Sequence, residues 1–389
     1  MTRRTVVVAA LGTTQTLAWA STYYLPAILA DPMAADLQVP RTAIFGMFSA
    51  AMLLTAALGP SIGRAIDRYG GRGVLVISNF VFAAGLLLLG AAHGPIVLAI
   101  AWGVLGVGMA LGLYDTAFAA LTRLYGLQAR SAITGITLIA GFASTVGWPA
   151  STVLNDAVGW RGACFTWAAL HLLLGLPLNA LLVPRGTTPA PTISRPSATE
   201  IPPSRFAFIA LSFVFAVTWF VSTAMAAHLP RLLERAGASP DAAIAAAALV
   251  GPAQVAARVV EFSLIRWLNP LRAAQIATLL HPLGAVALMA AGAPAVAIFA
   301  VLHGAGNGLL TIAKGTLPLV IFGPSGYGLR TGWLSAPARM MQAVAPFLFG
   351  LCIDVWGSGA VVISSGLSLA ALGALLAMRS PRTAARQPT

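Results

Sequence analysis

Five ionisable side chains stand inside stretches otherwise built of Ala, Leu, Val, Ile and Gly: Asp115, Arg258, Glu261, Lys314 and Arg339. A charge at hydrocarbon depth costs at least ~2.5–3.5 kcal/mol on insertion scales, so each of the five needs a partner, a water-filled cavity or a role. Two kinds of chemistry are available. A carboxylate and an ammonium can form a pair that opens and closes, and a guanidinium can offer a planar fork to the carboxylate of a ligand. Arg258 and Glu261 lie three residues apart on one helix face, where they can neutralise each other, or Arg258 can turn to a ligand instead. The neutral polar residues Gln15, Tyr23, Tyr24, Trp148, His171, Gln254, His303, Asn307 and Gln342 fall at mid-depth of the same stretches. Tyr23, Tyr24, Gln254, His303, Asn307 and Gln342, with Arg258 and Arg339, are the set from which a ligand cavity could be lined; hydrogen bonding between helices is the competing role. His171 reads as a packed residue. Cys164 and Cys352 have no CxxC spacing and no ligand cluster nearby, so neither a disulfide framework nor a metal site is indicated. The glycine runs Gly103–Gly112 and Gly304–Gly308 follow no strand and precede no GK[ST]; they read as small-residue faces for close helix approach rather than phosphate loops.

The elements that must position these residues follow from composition. With 58% hydrophobic and 8% charged residues and a mean hydropathy of +0.86, the chain is not an ordinary soluble domain, in which charged residues make up about a quarter. It reads as an all-α membrane protein. Spans of about 20 apolar residues fit at 5–30, 42–63, 73–92, 95–121, 131–154, 162–183, 206–229, 241–265, 272–291, 295–320, 333–355 and 360–378. The arginine-rich connections alternate with arginine-poor ones: Arg3 and Arg4, Arg64 to Arg72, Arg123 and Arg130, Arg185 to Arg205, Arg266 and Arg272, Arg330, and Arg379 to Arg386. Both termini are therefore expected in the cytoplasm of a multi-pass protein of the bacterial inner membrane. The formal net charge of +13 follows from this topology, and nucleic acid is not an expected partner. Of 23 basic residues only Lys314 is a lysine, a hint of a GC-rich bacterial genome. The apolar run after Arg4 continues to Ala30 and is expected to be retained as the first span rather than cleaved.

A self-comparison at an offset of about 200 residues divides the chain. Trp19-Ala-Ser-Thr with Leu25-Pro26 recurs as Trp219-Phe-Val-Ser-Thr with Leu229-Pro230. Gly59-Pro60 with Arg64 recurs as Gly251-Pro252 with Arg258, Gly106-x-Gly108 as Gly304-x-Gly306, and Pro149, Asp156 and Gly159 as Pro346, Asp354 and Gly357. Matches in the same order in corresponding spans are what a duplicated unit leaves. The expected organisation is twelve transmembrane helices in two pseudo-symmetric six-helix bundles, 1–183 and 206–389, joined by a Pro/Ser/Thr-rich cytoplasmic linker over 184–205. Asp115 lies nine residues after Gly106 and Lys314 ten after Gly304, at matching depth and with opposite sign.

Between the second and third spans, Gly59 to Gly73 reads as a short charged loop. Gly63, Asp67-Arg68, Gly70 and Arg72 in it reproduce the spacing G-x3-D-R-x-G-x-R, which resembles the loop between helices 2 and 3 of the major facilitator superfamily of secondary transporters. The resemblance extends over essentially the whole chain. It implies alternating access to a site near the midplane between the halves, with Asp67, Arg68 and Arg72 biasing the access states. It also implies that Asp115 and Lys314 meet across the halves as a gate, with Glu261 a further coupling residue. Asp115 as a proton carrier, or as a local partner of Arg123, are the other readings. The chain also has some likeness to bacterial monocarboxylate porters, which carry an acidic residue and an arginine close together on helix 8; here Glu261 follows Arg258. Drug and proton antiporters of the superfamily carry an arginine on helix 4 four residues before a glycine, where this chain has Trp102 before Gly106. Their Gly-Pro on helix 5 is interrupted here by Trp148.

The expected function is secondary active transport of a small organic anion, driven by an ion gradient, protons first, or by exchange. No cofactor and no enzymatic step are expected, and a monomer in the lipid bilayer suffices. An efflux transporter for an amphipathic toxicant or metalloid, and a sensor that kept a transporter fold, are the alternatives.

Overall fold

The computed structural model describes residues 3–185, 204–263 and 269–378. The linker expected over 184–205, apart from its first two and last two residues, lies outside them, as do Arg266 and the Arg379–Arg386 tail. The described residues are mostly helical, and among them there is no strand. The α-helices in chain order are α1 (Arg3–Ser21), α2 (Pro26–Leu37), α3 (Arg41–Tyr69), α4 (Gly71–Gly90), α5 (Pro95–Gly112), α6 (Tyr114–Tyr125), α7 (Ala129–Ala140), α8 (Ala143–Leu170), α9 (Arg205–Arg235), α10 (Pro240–Ala248), α11 (Val250–Ser263), α12 (Pro270–Ala291), α13 (Val296–Phe322), α14 (Tyr327–Trp356) and α15 (Ala360–Ala377). Two wide, five-residue turns extend α8 to Leu182. Eight helical stretches among the described residues are long and apolar enough to cross a membrane. Two of these, Pro95–Leu182 and Tyr327–Ala377, at 88 and 51 residues, exceed one crossing.

The breaks have local causes that the hydropathy pattern conceals. The expected span 5–30 divides at residues 22–25, where Thr22 donates to Ala18 O at 2.5 Å and Pro26 opens α2. The expected span 95–121 divides at Leu113, whose ψ of −173° is extended. Within α8, Gly159 at φ 70° makes a sharp kink. The segment 59–73 is not a loop: α3 runs on to Tyr69, and Gly70 alone, at φ 87°, turns the chain into α4.

The buried apolar residues form two clusters. One gathers residues between Val7 and Val183 with Leu319 and Tyr327, and the other runs from Ala210 to Met378; Trp219 packs against both. The glycines of the internal repeat meet corresponding neighbours. Gly106 packs on the Ala51 carbonyl of α3 and Gly304 on the Val250 carbonyl of α11, while Gly108 faces Phe82 of α4 and Gly306 faces Ala277 of α12. At Gly106, Gly304 and Gly306 the neighbour is main chain, as expected of small-residue faces in a bilayer, while Gly108 leaves room for the Phe82 ring.

Three seams join the clusters. Along α3 and α14, Gly59 and Gly63 oppose Gly332 and Gly328: a Cβ on Gly332 would lie 2.6 Å from the Gly59 carbonyl, and one on Gly63 would collide with the Gly328 carbonyl. Ser49 adds a bond to Ala343 O at 3.2 Å on the same seam. The second seam sets α11 and α13 against α7, and the third brings α6 to α13 and α14.

Candidate functional site

The third seam carries the charges. Asp115 is the second residue of α6, just after the break at Leu113, and its carboxylate faces the other cluster. It meets Lys314 of α13 at 2.9 Å and Arg339 of α14 at 3.2 Å, and accepts from Ser335 Oγ at 3.2 Å. Lys314 and Arg339 are almost fully buried, with side-chain exposures of 4% and 2%. No second carboxylate contacts either cation among the described residues, so the group holds one more positive than negative charge. Arg123 is not the partner of Asp115, which corrects the local-pair reading: the carboxylate is held by Lys314 and Arg339 across the seam.

The cations are bracketed by the repeat-related tryptophans. Arg339 Cζ lies 6.0 Å from the Trp19 ring and 5.9 Å from the Trp219 ring, and Lys314 Nζ lies 5.0 Å from Trp219, within cation–π range. Arg339 donates to Gln342 Oε1 at 3.0 Å, and Gln342 Nε2 reaches the Tyr23 hydroxyl at 3.4 Å. Arg339 Nε and Trp19 Nε1 are buried without a hydrogen-bond partner. Thr55, Thr116, Ser335, Asp115 and Arg339 line a small cavity between α3, α5, α6 and α14. A second cavity is bordered by Asn307, Thr218, Trp219 and Lys314.

Arg258 has a different setting. Its guanidinium donates to Thr137 O of α7 at 3.0 Å and to Gly308 O of α13 at 3.3 Å, with longer contacts to Gln254 and Thr311 at 3.4 Å. The reading in which Arg258 and Glu261 neutralise each other is corrected here. Arg258 spends its fork on main-chain carbonyls across the second seam, and Glu261 sits 3.7 Å from Arg130, at the start of α7.

Asp67 accepts from the backbone amides of Gly328 at 2.9 Å and Leu329 at 2.8 Å, capping the first turn of α14 from another helix. Arg68 is exposed and lies over the Tyr69 ring, and Arg72 donates to Ala180 O. Tyr24 contacts the Tyr23 and Trp148 rings edge-on. His303 is set apart from this assembly. Its Nδ1 is 3.0 Å from His281 Nδ1, and His281 Nε2 is 3.0 Å from Ser364 Oγ, which places both rings between α12, α13 and α15. His171 is held by Ser21 and Asn79. Of the residues singled out in the sequence, Asp115, Lys314, Arg339, Gln342 and Tyr23 form one connected group, Arg258 and Gln254 a second, and Asp67 stands with the end of α14. The sequence alone does not single out Trp19, Trp219 and Ser335 as site residues. For the tryptophans a signal existed: they occupy equivalent places in the repeat, each followed by Leu-Pro.

Comparison with known proteins agrees with this architecture. The human organic anion transporter MFSD10 (TETRAN) superposes with a TM-score of 0.74 at 17% identity, covering 96% of this chain and 99% of that one. FucP, a Major Facilitator Superfamily transporter in the outward conformation, gives 0.70 at 13% identity, with the same coverages. In sequence, the chain is 27% identical over 334 residues to an uncharacterized 38 kDa protein of a 23S RNA operon of Thermoproteus tenax, spanning 85% of this chain and 84% of the relative. It is 30% identical over 169 residues to an MFS-type efflux pump of Mycolicibacterium smegmatis, a match to 41% of this chain and 37% of the pump. The family model of the Major Facilitator Superfamily matches residues 11–292, close to three quarters of the chain, and the protein therefore belongs to this superfamily of multi-span membrane transporters.

Proposed function

We propose that the protein is a secondary transporter of a small organic anion, working by alternating access. The observation that carries this reading is the buried group of Asp115, Lys314 and Arg339, with its one excess cation and its unpartnered Arg339 Nε. A buried cation without a counter-charge is strongly unfavourable, and a substrate carboxylate supplies that charge while accepting the idle donor. Lys314 and Asp115 act as the gate: with substrate away they hold each other, and arrival of a second anion beside Arg339 weakens the pair and frees the halves to move. Tyr23, Gln342 and Asn307 border the substrate, Tyr24 lies behind Tyr23, and His303 stays in its histidine pair away from the substrate. Arg258 with Gln254, and Glu261 with Arg130, act as latches on the second seam.

The chain crosses the membrane twelve times, pairing α1 with α2, α5 with α6, α7 with the first part of α8, and α10 with α11 as broken spans. The halves 1–183 and 206–389 are bundles of six, an arrangement that the matched contacts of Gly106 and Gly304 support. Asp67 and the glycine crossing of α3 and α14 close the cytoplasmic end, with Arg68 and Arg72 at its rim and both termini on that side, in a bacterial inner membrane. Protons are the driving ion. The partial match to an efflux pump favours export as the second reading.

Arg339→Lys tests the assignment, because it keeps the charge and loses the planar fork. Purified Arg339→Lys protein should bind monocarboxylates at least about ten-fold more weakly, a loss of about 1.4 kcal/mol, in calorimetric titration. Unchanged affinity would overturn the role.

A further inference from the structure

We infer that the transported anion is an aromatic monocarboxylate, admitted along a row of rings that ends at Arg339; this rests on the anion reading above. Four rings make the row. Trp148 and Tyr24 are 5.8 Å apart at 83°, Tyr24 and Tyr23 5.4 Å at 89°, and Tyr23 and Trp19 5.1 Å at 64°. Trp19 then faces the Arg339 guanidinium at 6.0 Å. Exposure falls along the row: Trp148 is 44% exposed, Tyr24 and Tyr23 are half-buried, and Trp19 and Arg339 retain 4% and 2%. Phe48 of α3 closes on Tyr23 from the side at 5.6 Å and 68°.

The break between α1 and α2 produces this arrangement. In an unbroken helix Tyr23 and Tyr24 would diverge by 100° around the axis. In the non-helical stretch 22–25 they meet edge-on instead, which turns two successive rings into neighbours in one row.

The geometry of the row selects the ligand's body. Successive rings meet edge to face, so positive ring edges point at negative faces. A planar π-system continues that alternation, whereas a saturated ring of the same size gains burial alone. The end of the row selects the head group. Arg339 Nε and Trp19 Nε1 are both donors and both lack an acceptor, so the occupant accepts hydrogen bonds, and beside Lys314 and Arg339 it is anionic. One excess cation calls for one negative charge; a dianion would reverse the imbalance.

The test is calorimetric titration of the purified full chain in detergent with benzoate, phenylacetate, cyclohexanecarboxylate and butyrate. Benzoate or phenylacetate should bind roughly ten-fold more tightly than cyclohexanecarboxylate, as two edge-to-face contacts would give. Tyr23→Leu, at the ring that borders the substrate, should erase that preference and Tyr23→Phe should keep it. If Tyr23→Leu does not fold, Trp19→Leu, the ring that faces Arg339, takes its place with the same expectation. Equal affinity for the aromatic and saturated acids, or binding of butyrate alone, overturns the aromatic assignment and leaves the anion reading standing. Failure of all four carboxylates to bind folded protein overturns both.

Discussion

Arg258 and Arg339 are the same residue type, both from the second half of the chain, both nearly fully buried at 4% and 2% exposure, and both reaching across to the first half. Their surroundings differ. Arg258 distributes its donors over the Thr137 and Gly308 carbonyls and the Gln254 and Thr311 side chains, all neutral acceptors. Arg339 shares one carboxylate with Lys314, lies between two tryptophans and keeps Nε idle. A fork in which every nitrogen has a partner has little left to offer a ligand and serves to fasten two helices. A fork with a spare donor and a contested counter-ion is poised to exchange partners. Burial alone therefore does not separate a structural arginine from a substrate-binding one; the accounting of its donors does.

The sharpest way to break this comparison is to remove the contested carboxylate. Asp115→Asn leaves Lys314 and Arg339 facing each other without an anion, and stranding a buried charge in this way costs about 3–5 kcal/mol. We expect a large fall in the Tm of the purified protein and loss of transport. Because Asp115 and Lys314 share the interaction, the double variant Asp115→Asn with Lys314→Gln should be less damaged than the sum of the single ones. Strict additivity would mean that the two do not act as a pair.

A smaller effect separates the two arginines directly. Arg258→Lys cannot reproduce the spread of four acceptors and should cost about 1.5–3 kcal/mol of stability, the worth of hydrogen bonds to a charged group. Anion affinity should change little. The opposite pattern, an unaltered Tm with weakened binding, would show that Arg258 and Arg339 have been assigned the wrong way round.

The smallest expected effect sharpens the comparison at the end of the bundle. Asp67→Asn keeps an acceptor for one amide of α14 but removes the negative charge from that helix terminus, a change of about 0.3–1 kcal/mol. Expression and folding should be unaffected, while transport slows and cysteines introduced along the α3–α14 seam become easier to label. Wild-type rates and labelling would remove Asp67 from the gating assembly.

The sequence by itself determined that the chain is a helical membrane protein, because hydropathy and charge frequency are sums over neighbouring residues. It also determined the family through the spacing Gly63, Asp67, Arg68, Gly70 and Arg72, and it placed Asp115 and Lys314 at matching depth through their offsets from Gly106 and Gly304. What only the tertiary structure decided was the choice of partners. Spacing allowed Glu261 to Arg258, but the guanidinium finds carbonyls on α7 and α13 and Glu261 finds Arg130. Depth matching put Asp115 opposite Lys314, but not beside Arg339, because α14 reaches that point only by crossing α3 at paired glycines. His303 reads as a cavity residue from its glycine-rich surroundings, yet its ring meets His281, 22 positions away on another helix. The row from Trp148 to Trp19 depends on the break at residues 22–25, which no hydropathy pattern records since both sides of it are apolar. Periodicity fixes which way a side chain points on its own helix, while its neighbour is set by crossing positions and helix breaks, which depend on contacts hundreds of residues apart.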